Sequence, residues 1–271
     1  RSKILEVTIT FVSKEASRSD VSFPPEGGFP PAGRIANDWR RWGVLEILLG
    51  IVFGHILVVI TYGLVSEIGG YEDFSEFPRW LVALSSLPLQ GSMAVAAVLA
   101  ASYRGGGIVK DFLFKMERND IFVGLSVGLA AQFLLVPALT WPVLWLFDID
   151  VEEVKKVAEE LTDHPSSTIG VIALLLFIGI FTPIAEELFF RGLLYGALRK
   201  GIKYSGKKCI WISMIISSLI FSAVHLQLIL LPALFGVGMV FALLYEKSGR
   251  LAPAIWAHIG FNMVTLLNLL F

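Results

Sequence analysis

Seven apolar stretches, each near the roughly 20 residues a bilayer core requires, dominate this chain and restrict it to one fold class. They run over approximately 44–66, 80–103, 120–147, 168–199, 208–226, 228–246 and 251–271. The expectation is all-α: a polytopic transmembrane helical bundle of seven spans, integral to a membrane (the cell membrane in a prokaryote), with the lipid bilayer as its first partner. Charge supports this, because only 17% of residues are charged where a soluble domain carries about a quarter. The fourth stretch is longer than a bilayer needs, which predicts a tilt or a projecting end. Pro183 inside it predicts a kink. A residue or two around Gln227 separates the fifth and sixth stretches, which predicts a tight helical hairpin.

The flanking segments complete the layout. Residues 1–43 are polar and rich in proline and glycine, as in Phe23-Pro24-Pro25-Glu26-Gly27-Gly28-Phe29-Pro30-Pro31. Such a run resists helix formation, since proline removes a donor and glycine adds backbone entropy. An extended or disordered, solvated tail is expected there, a partner-binding segment being the sharper alternative. The chain begins with Arg1, and its first 40 residues hold no apolar run of the signal-peptide kind. The transmembrane domain is expected over 44–271. Basic loops (Arg40, Arg41; Arg104, Lys110, Lys115, Arg118; Arg199, Lys200, Lys203, Lys207, Lys208; Lys247, Arg250) alternate with acidic ones (Glu67, Glu72, Asp73, Glu76; Asp148, Asp150, Glu152, Glu153). Basic loops face the cytoplasm, so the amino terminus is expected inside and the carboxyl terminus outside. Between spans three and four, Val151, Val154, Val157, Ala158 and Leu161 share one helical face. A connector helix packed on the bundle is the plainer reading, an interfacial helix the other. A net charge of −1 gives no sign of nucleic-acid binding, and lone Cys209 has no partner for an internal disulfide.

An ionisable side chain inside a span is costly and points to function by default. Span four carries Thr182-Pro183-Ile184-Ala185-Glu186-Glu187-Leu188-Phe189-Phe190-Arg191-Gly192. Adjacent helical residues point about 100° apart, so the two glutamates address different neighbours. Glu187 and Arg191 stand four apart with the acid first, the favourable order for a helical ion pair. Glu186 has no base on its own face, so its partner must come from another helix or it stays protonated. Gly192 and Gly196 add a small-xxx-small pattern that permits close helix contact. His225 follows Phe221 by one turn near the end of span five, either as a functional imidazole or as a cap near the interface. His258 and Asn262 stand four apart on one face of span seven. They can donate together to an oxyanion or simply bond two helices together. Counting about 1.5 Å per residue from the basic ends puts Glu186, His225, His258 and Asn262 in one broad layer. His55 reaches that layer too, but lacks a polar neighbour one turn away and reads as packing. His164 lies in an outer loop.

A carboxylate and an imidazole can together deprotonate a water, and a second histidine with an asparagine can stabilise a tetrahedral oxyanion. That is peptide hydrolysis without a covalent intermediate. No H-E-x-x-H occurs. Two histidines and a glutamate can still ligate zinc, so a metalloprotease using the same residues remains open. Three motifs in order on successive spans, Glu186-Glu187-x-x-x-Arg191, Phe221-x-x-x-His225 and His258-x-x-x-Asn262, resemble the CAAX prenyl protease and bacteriocin-processing family of intramembrane glutamic proteases. The resemblance covers 168–271. It implies that Glu186 and His225 activate water, that His258 and Asn262 form the oxyanion site, and that Glu187 and Arg191 support the first helix. It implies no cofactor and no metal. The substrate it implies is a membrane-associated peptide or protein, a prenylated carboxyl terminus being the family's known case. Members linked to bacteriocin immunity keep a non-enzymatic scaffold of the same fold as an alternative, and no internal repeat points to a transporter.

Overall fold

A computed structural model describes residues 43–159, 163, 164, 167–202, 204 and 206–271. Apart from Gly43, the tail expected over 1–43 lies outside the described residues. So does Leu161 of the expected amphipathic face, whose helix is formed over Val151–Glu159.

The described residues form helices joined by turns, with no strand among them. Seven helices are long and apolar enough to cross a membrane: Leu45–Gly69, Arg79–Tyr103, Arg118–Phe147, Thr168–Gly201, Gly206–Ala223, Leu231–Ser248 and Ala252–Leu270. The protein is an integral, multi-pass α-helical membrane protein. Its apolar side chains divide into two populations. Phe122, Trp145 and Ile169 are exposed as a lipid-facing surface requires, whereas Phe189, Phe190, Phe221 and Phe241 are sealed in the bundle core.

Span four runs through the centre and touches spans one, two, five, six and seven. Span seven is bound most closely to span three. Glycine makes that approach possible: a Cβ at Gly128 would stand 2.1 Å from the Ala257 carbonyl oxygen. Gly192, expected to admit a neighbouring helix, instead admits the ring of Phe112, since a Cβ there would meet that ring at 2.7 Å.

Polar contacts fasten the basic ends. Arg250, in the turn between spans six and seven, donates to both carboxylate oxygens of Asp120 at 2.8 and 3.0 Å and pairs with Glu117 at 3.0 Å. The hydrogen bonds it donates to Asp120 hold the Arg250 guanidinium above its ordinary pKa. Glu246 on span six accepts from Tyr195 and from Arg199 (3.1 Å) on span four. The Tyr245 hydroxyl donates to the Phe112 carbonyl at 3.0 Å. In the loop between spans two and three, burial pushes the Asp111 carboxyl above its ordinary pKa.

The irregularity expected at Pro183 takes the form of a widened turn. Span four is α-helical over Thr168–Leu176, π-helical over Phe177–Phe181, α-helical over Thr182–Glu187, and π-helical again over Leu188–Tyr195. The Thr182 N–H bonds to Phe177 O rather than to the carbonyl four residues back. The next residue is Pro183, which has no N–H. The Ile178 carbonyl is thereby left without a donor from its own helix.

The tight hairpin expected at Gln227 is not what forms. Span five ends at Ala223 and span six begins at Leu231, so residues 224–230 make a longer connection. Two local features account for it. Leu226 takes a positive φ of 56°, which breaks the helix. Pro232 stands in the first turn of span six, where its missing N–H is harmless. The apolar Leu226, Leu228, Ile229 and Leu230 hid this connection from a reading by composition.

Candidate active site

The site grows from the short α segment Thr182–Glu187, held between the two π turns. Glu187 and Arg191 are fully buried. Arg191 NH1 donates to Glu187 Oε1 at 2.7 Å, and its NH2 donates to the Gly238 carbonyl of span six at 2.9 Å. Its guanidinium lies 4.7 Å from the ring centroid of Phe221 and 5.4 Å from that of Phe241. One cation thus gathers spans four, five and six. Glu187 Oε1 has a second partner, His258 Nδ1, at 2.9 Å, which brings in span seven.

Glu186 points elsewhere, as adjacency on a helix requires. Its Oε1 accepts from Gln90 Nε2 of span two at 2.9 Å. Its Oε2 stands 3.7 Å from His258 Nε2 and has no hydrogen-bond partner among the described residues. His258 therefore lies between the two glutamates, one ring nitrogen toward each. The charges of this cluster can be counted. With both glutamates ionised, Arg191 and a protonated His258 bring the sum to zero. With Glu186 protonated and His258 neutral, the sum is again zero. The two arrangements differ by one proton moved across the 3.7 Å gap, and each avoids a net charge inside lipid, where such a charge is costly.

His225 lies past the end of span five's helix, in the connection to span six. Its Nδ1 bonds the Phe221 carbonyl at 2.7 Å, and its ring meets the Phe221 ring edge-on at 4.8 Å. Donation from Nδ1 leaves Nε2 as the lone-pair nitrogen of the neutral imidazole. Among the described residues no hydrogen bond joins His225 to Glu186. Phe221 links them indirectly, because its ring also lies 5.8 Å from His258. Asn262 stands one turn beyond His258 on span seven. Its Nδ2 donates to the Ile178 carbonyl at 3.0 Å, the one orphaned by the π turn and Pro183. A carboxamide nitrogen has two N–H groups, so this bond fixes the amide's plane and leaves a second donor.

The structure thus brings Glu186, Glu187, Arg191 and His258 into one cluster, with His225 and Asn262 at its margin. His55 bonds the Ile51 carbonyl of its own helix at 2.8 Å. His164 is buried edge-on against Phe74 in the loops. Neither reaches the cluster. A zinc centre needs three converging donors, and among the described residues no group of three His, Cys, Asp or Glu side chains is arranged to hold an ion. Gln90 escaped a sequence reading that searched the spans for ionisable groups. Its signal was present all the same. A carboxamide inside a span is itself a helix-linking polar group, and spans one to three hold only Gln90 and Gln132 away from their ends.

Fold and site together define a polytopic helical membrane protein with a carboxylate–imidazole centre buried among its spans. Residues 168–264 match the family model described as type II CAAX prenyl endopeptidase, Rce1-like. The matched segment runs from the start of span four into span seven, and this part of the chain is similar to that family. The chain is 36% identical over 98 residues to the membrane-embedded CAAX protease MroQ of Staphylococcus aureus (strain USA300), covering 35% of this chain and 40% of that protein. It is 32% identical over 104 residues to the putative membrane peptidase YdiL of Bacillus subtilis (strain 168), covering 38% and 40%. An uncharacterised 24.3 kDa protein of Escherichia coli is 35% identical over 104 residues, covering 37% and 45%. The chain spans less than half the length of each of these relatives. No solved structure matches it significantly.

Proposed function

We propose that the protein is an intramembrane endopeptidase that hydrolyses a peptide bond of a membrane-associated protein or peptide without a metal. One observation carries this reading. Glu187 is ion-paired with Arg191, while Glu186 has no basic partner on its own helix and its Oε2, without a hydrogen bond among the described residues, stands 3.7 Å from His258 Nε2. The site thus separates a structural carboxylate from a reactive one.

Glu186 in its carboxylate form takes a proton from water, and the hydroxide oxygen bonds to the scissile carbonyl carbon. The carbonyl π electrons move onto oxygen, where protonated His258 Nε2 and the second N–H of Asn262 meet them. On collapse the C–N bond breaks, and the amine leaves with the proton that Glu186 had taken. His225, through its Nε2 lone pair, accepts a hydrogen bond from the same water and helps to orient it. Glu187 and Arg191 hold the His258 ring and span four in place. The family supports a membrane-associated substrate, with a prenylated carboxyl terminus one candidate. The basic loops support a cytoplasmic amino terminus.

The test compares wild type with Glu186→Gln. Membrane peptides and proteins that accumulate in cells carrying the variant are identified by mass spectrometry, and one is then cleaved by purified protein in nanodiscs. A positioned general base contributes about 10²–10⁴-fold, so cleavage should fall by that factor while the protein still folds. Wild-type cleavage should persist in EDTA and phenanthroline. Unchanged cleavage by Glu186→Gln would overturn the reading, and loss with chelator would replace it with a metal-dependent one.

A further inference from the structure

The connection over 224–230 lies at a depth that lipid still reaches. The Phe241 ring of span six lies against that of His258 at 4.9 Å, and His258 bonds Glu187, so these residues share one level of the bundle. Span six starts ten residues before Phe241, about 15 Å away along the helix. Ile169 of span four stands eighteen residues before Glu187, about 25 Å away toward the same end, and is 73% exposed. The apolar surface therefore continues about 10 Å past the connection. Irregular backbone is not tolerated against lipid, because hydrocarbon offers no partner for a free N–H or C=O. It occurs at such depth only where protein buries it or where it lines a wet cavity.

This connection carries such groups. The Leu226 N–H returns to the Ala223 carbonyl and the Leu231 N–H to that of Leu228, but the N–H groups of Gln227, Leu228 and Ile229 have no acceptor among the described residues. Nor does the bundle cover the segment. Leu226 is 78% and Leu228 82% exposed, and Gln227 and Ile229, alternating with them, are half-buried. A fitting occupant must meet both features. A lipid tail suits the leucines and leaves the amides bare. Water suits the amides and not the leucines. An extended apolar peptide satisfies both, its carbonyls accepting from the amides and its side chains lying on the leucines. The same connection carries His225, packed on Phe221, and so adjoins the candidate site. A helix engages its carbonyls in its own hydrogen bonds, so a membrane peptide must be drawn out straight before water can attack it. Resting on the reading that this site is a peptidase centre, we propose that residues 226–229 form an edge that binds the substrate's backbone in extended form, with Leu226 and Leu228 selecting apolar residues next to the scissile bond.

The experiment has a binding arm and a kinetic arm, both on the full chain in nanodiscs with the peptide of the cleavage assay above. For binding, a photoreactive leucine analogue replaces Leu228, or Ile169 as the control, in the Glu186→Gln background. Adducts from position 228 should fall on the peptide within a few residues of the scissile bond, and those from 169 on lipid. Lipid adducts or water-quenched probe alone at 228 would overturn the proposal. For kinetics, the backbone N–H at 227, 228 and 229 is exchanged in turn for an ester oxygen, which keeps every side chain and so guards against misfolding. A hydrogen bond is worth about three- to tenfold, so KM should rise by that factor with kcat little changed. Pairing with an extended strand uses alternate residues, so the rise should appear at 228 alone or at 227 and 229. No rise, or an equal effect at all three, would overturn the proposal. Leu228→Trp should turn the preference next to the scissile bond toward smaller residues, and an unchanged preference would count against the edge equally. Peptide adducts at 228 in a protein that cleaves nothing would support the edge while refuting the protease reading. Cleavage that Glu186→Gln abolishes, with neither adducts nor a change in KM, would do the reverse.

Discussion

Replacing Arg191 by Met leaves Glu187 Oε1 with His258 as its sole partner. It also removes the bond to the Gly238 carbonyl and empties the space between the Phe221 and Phe241 rings. Both members of the pair are fully buried. Breaking such a pair from one side costs about 3–5 kcal/mol, because an uncompensated charge remains in a medium that solvates it poorly. Glu187→Met should cost a similar amount, stranding Arg191 and His258 Nδ1 together. Additivity of the two would give roughly 6–10 kcal/mol, enough to unfold most domains. The double variant should cost far less. No stranded charge remains in it, only His258 Nδ1 at about 1–3 kcal/mol, since the Gly238 carbonyl lies within the helix of span six and keeps its intrahelical donor. The coupling between the sites is therefore expected to be about 3 kcal/mol or more, over a hundredfold in the folded-to-unfolded ratio. The measurement is reversible unfolding in mixed micelles, by titration with a denaturing detergent, for the four members of the cycle. Costs that add within about 0.5 kcal/mol would refute the view that these two charges stabilise one another.

Two further outcomes follow from the packing of spans three, four and seven. Gly128→Ala sets a Cβ 2.1 Å from the carbonyl of Ala257, the residue before His258. It should destabilise the protein by about 1–3 kcal/mol and lower kcat by displacing His258, and a variant with wild-type unfolding and turnover would show that these helices do not approach so closely. Asn262→Ala should cost about 1–3 kcal/mol by orphaning the Ile178 carbonyl, but clearly less in a Pro183→Ala background, where residue 183 regains an N–H; equal costs in the two backgrounds would rule out the link.

Much of the architecture was legible because lipid demands it. A bilayer admits only long apolar helices here, so seven stretches gave seven spans with ends displaced by a few residues. The Glu187–Arg191 contact was legible because it lies within one helix, where spacing fixes geometry. Contacts between helices were not. Nothing in the spacing of span two announces that Gln90 meets Glu186, since residues 96 positions apart are brought together by packing alone. His225 illustrates the converse failure. Counting residues set it at a helix end, but the connection over 224–230 is apolar enough to pass for helix, and only Leu226 and Pro232 betray it. Of the two readings open for Asn262, oxyanion donor or helix-linking group, its visible bond is of the second kind, to a carbonyl on span four freed by the combination of a π turn and a proline. Proline was visible in the sequence; the change of hydrogen-bond register was not.

Those two widened turns bear on how sequences of such helices should be compared. A π turn is what a helix makes of an inserted residue. Span four contains two of them, one on each side of the Thr182–Glu187 segment. The stripe of apolar positions consequently slips in phase twice along a single helix. An alignment that enforces one uninterrupted 3.6-residue period across 168–201 will place the acidic pair on the wrong face relative to one flank or the other. Homologues of this helix are better aligned in three blocks, each with its own phase, and a one-residue gap at either junction is then a shift of register rather than a loss of the site.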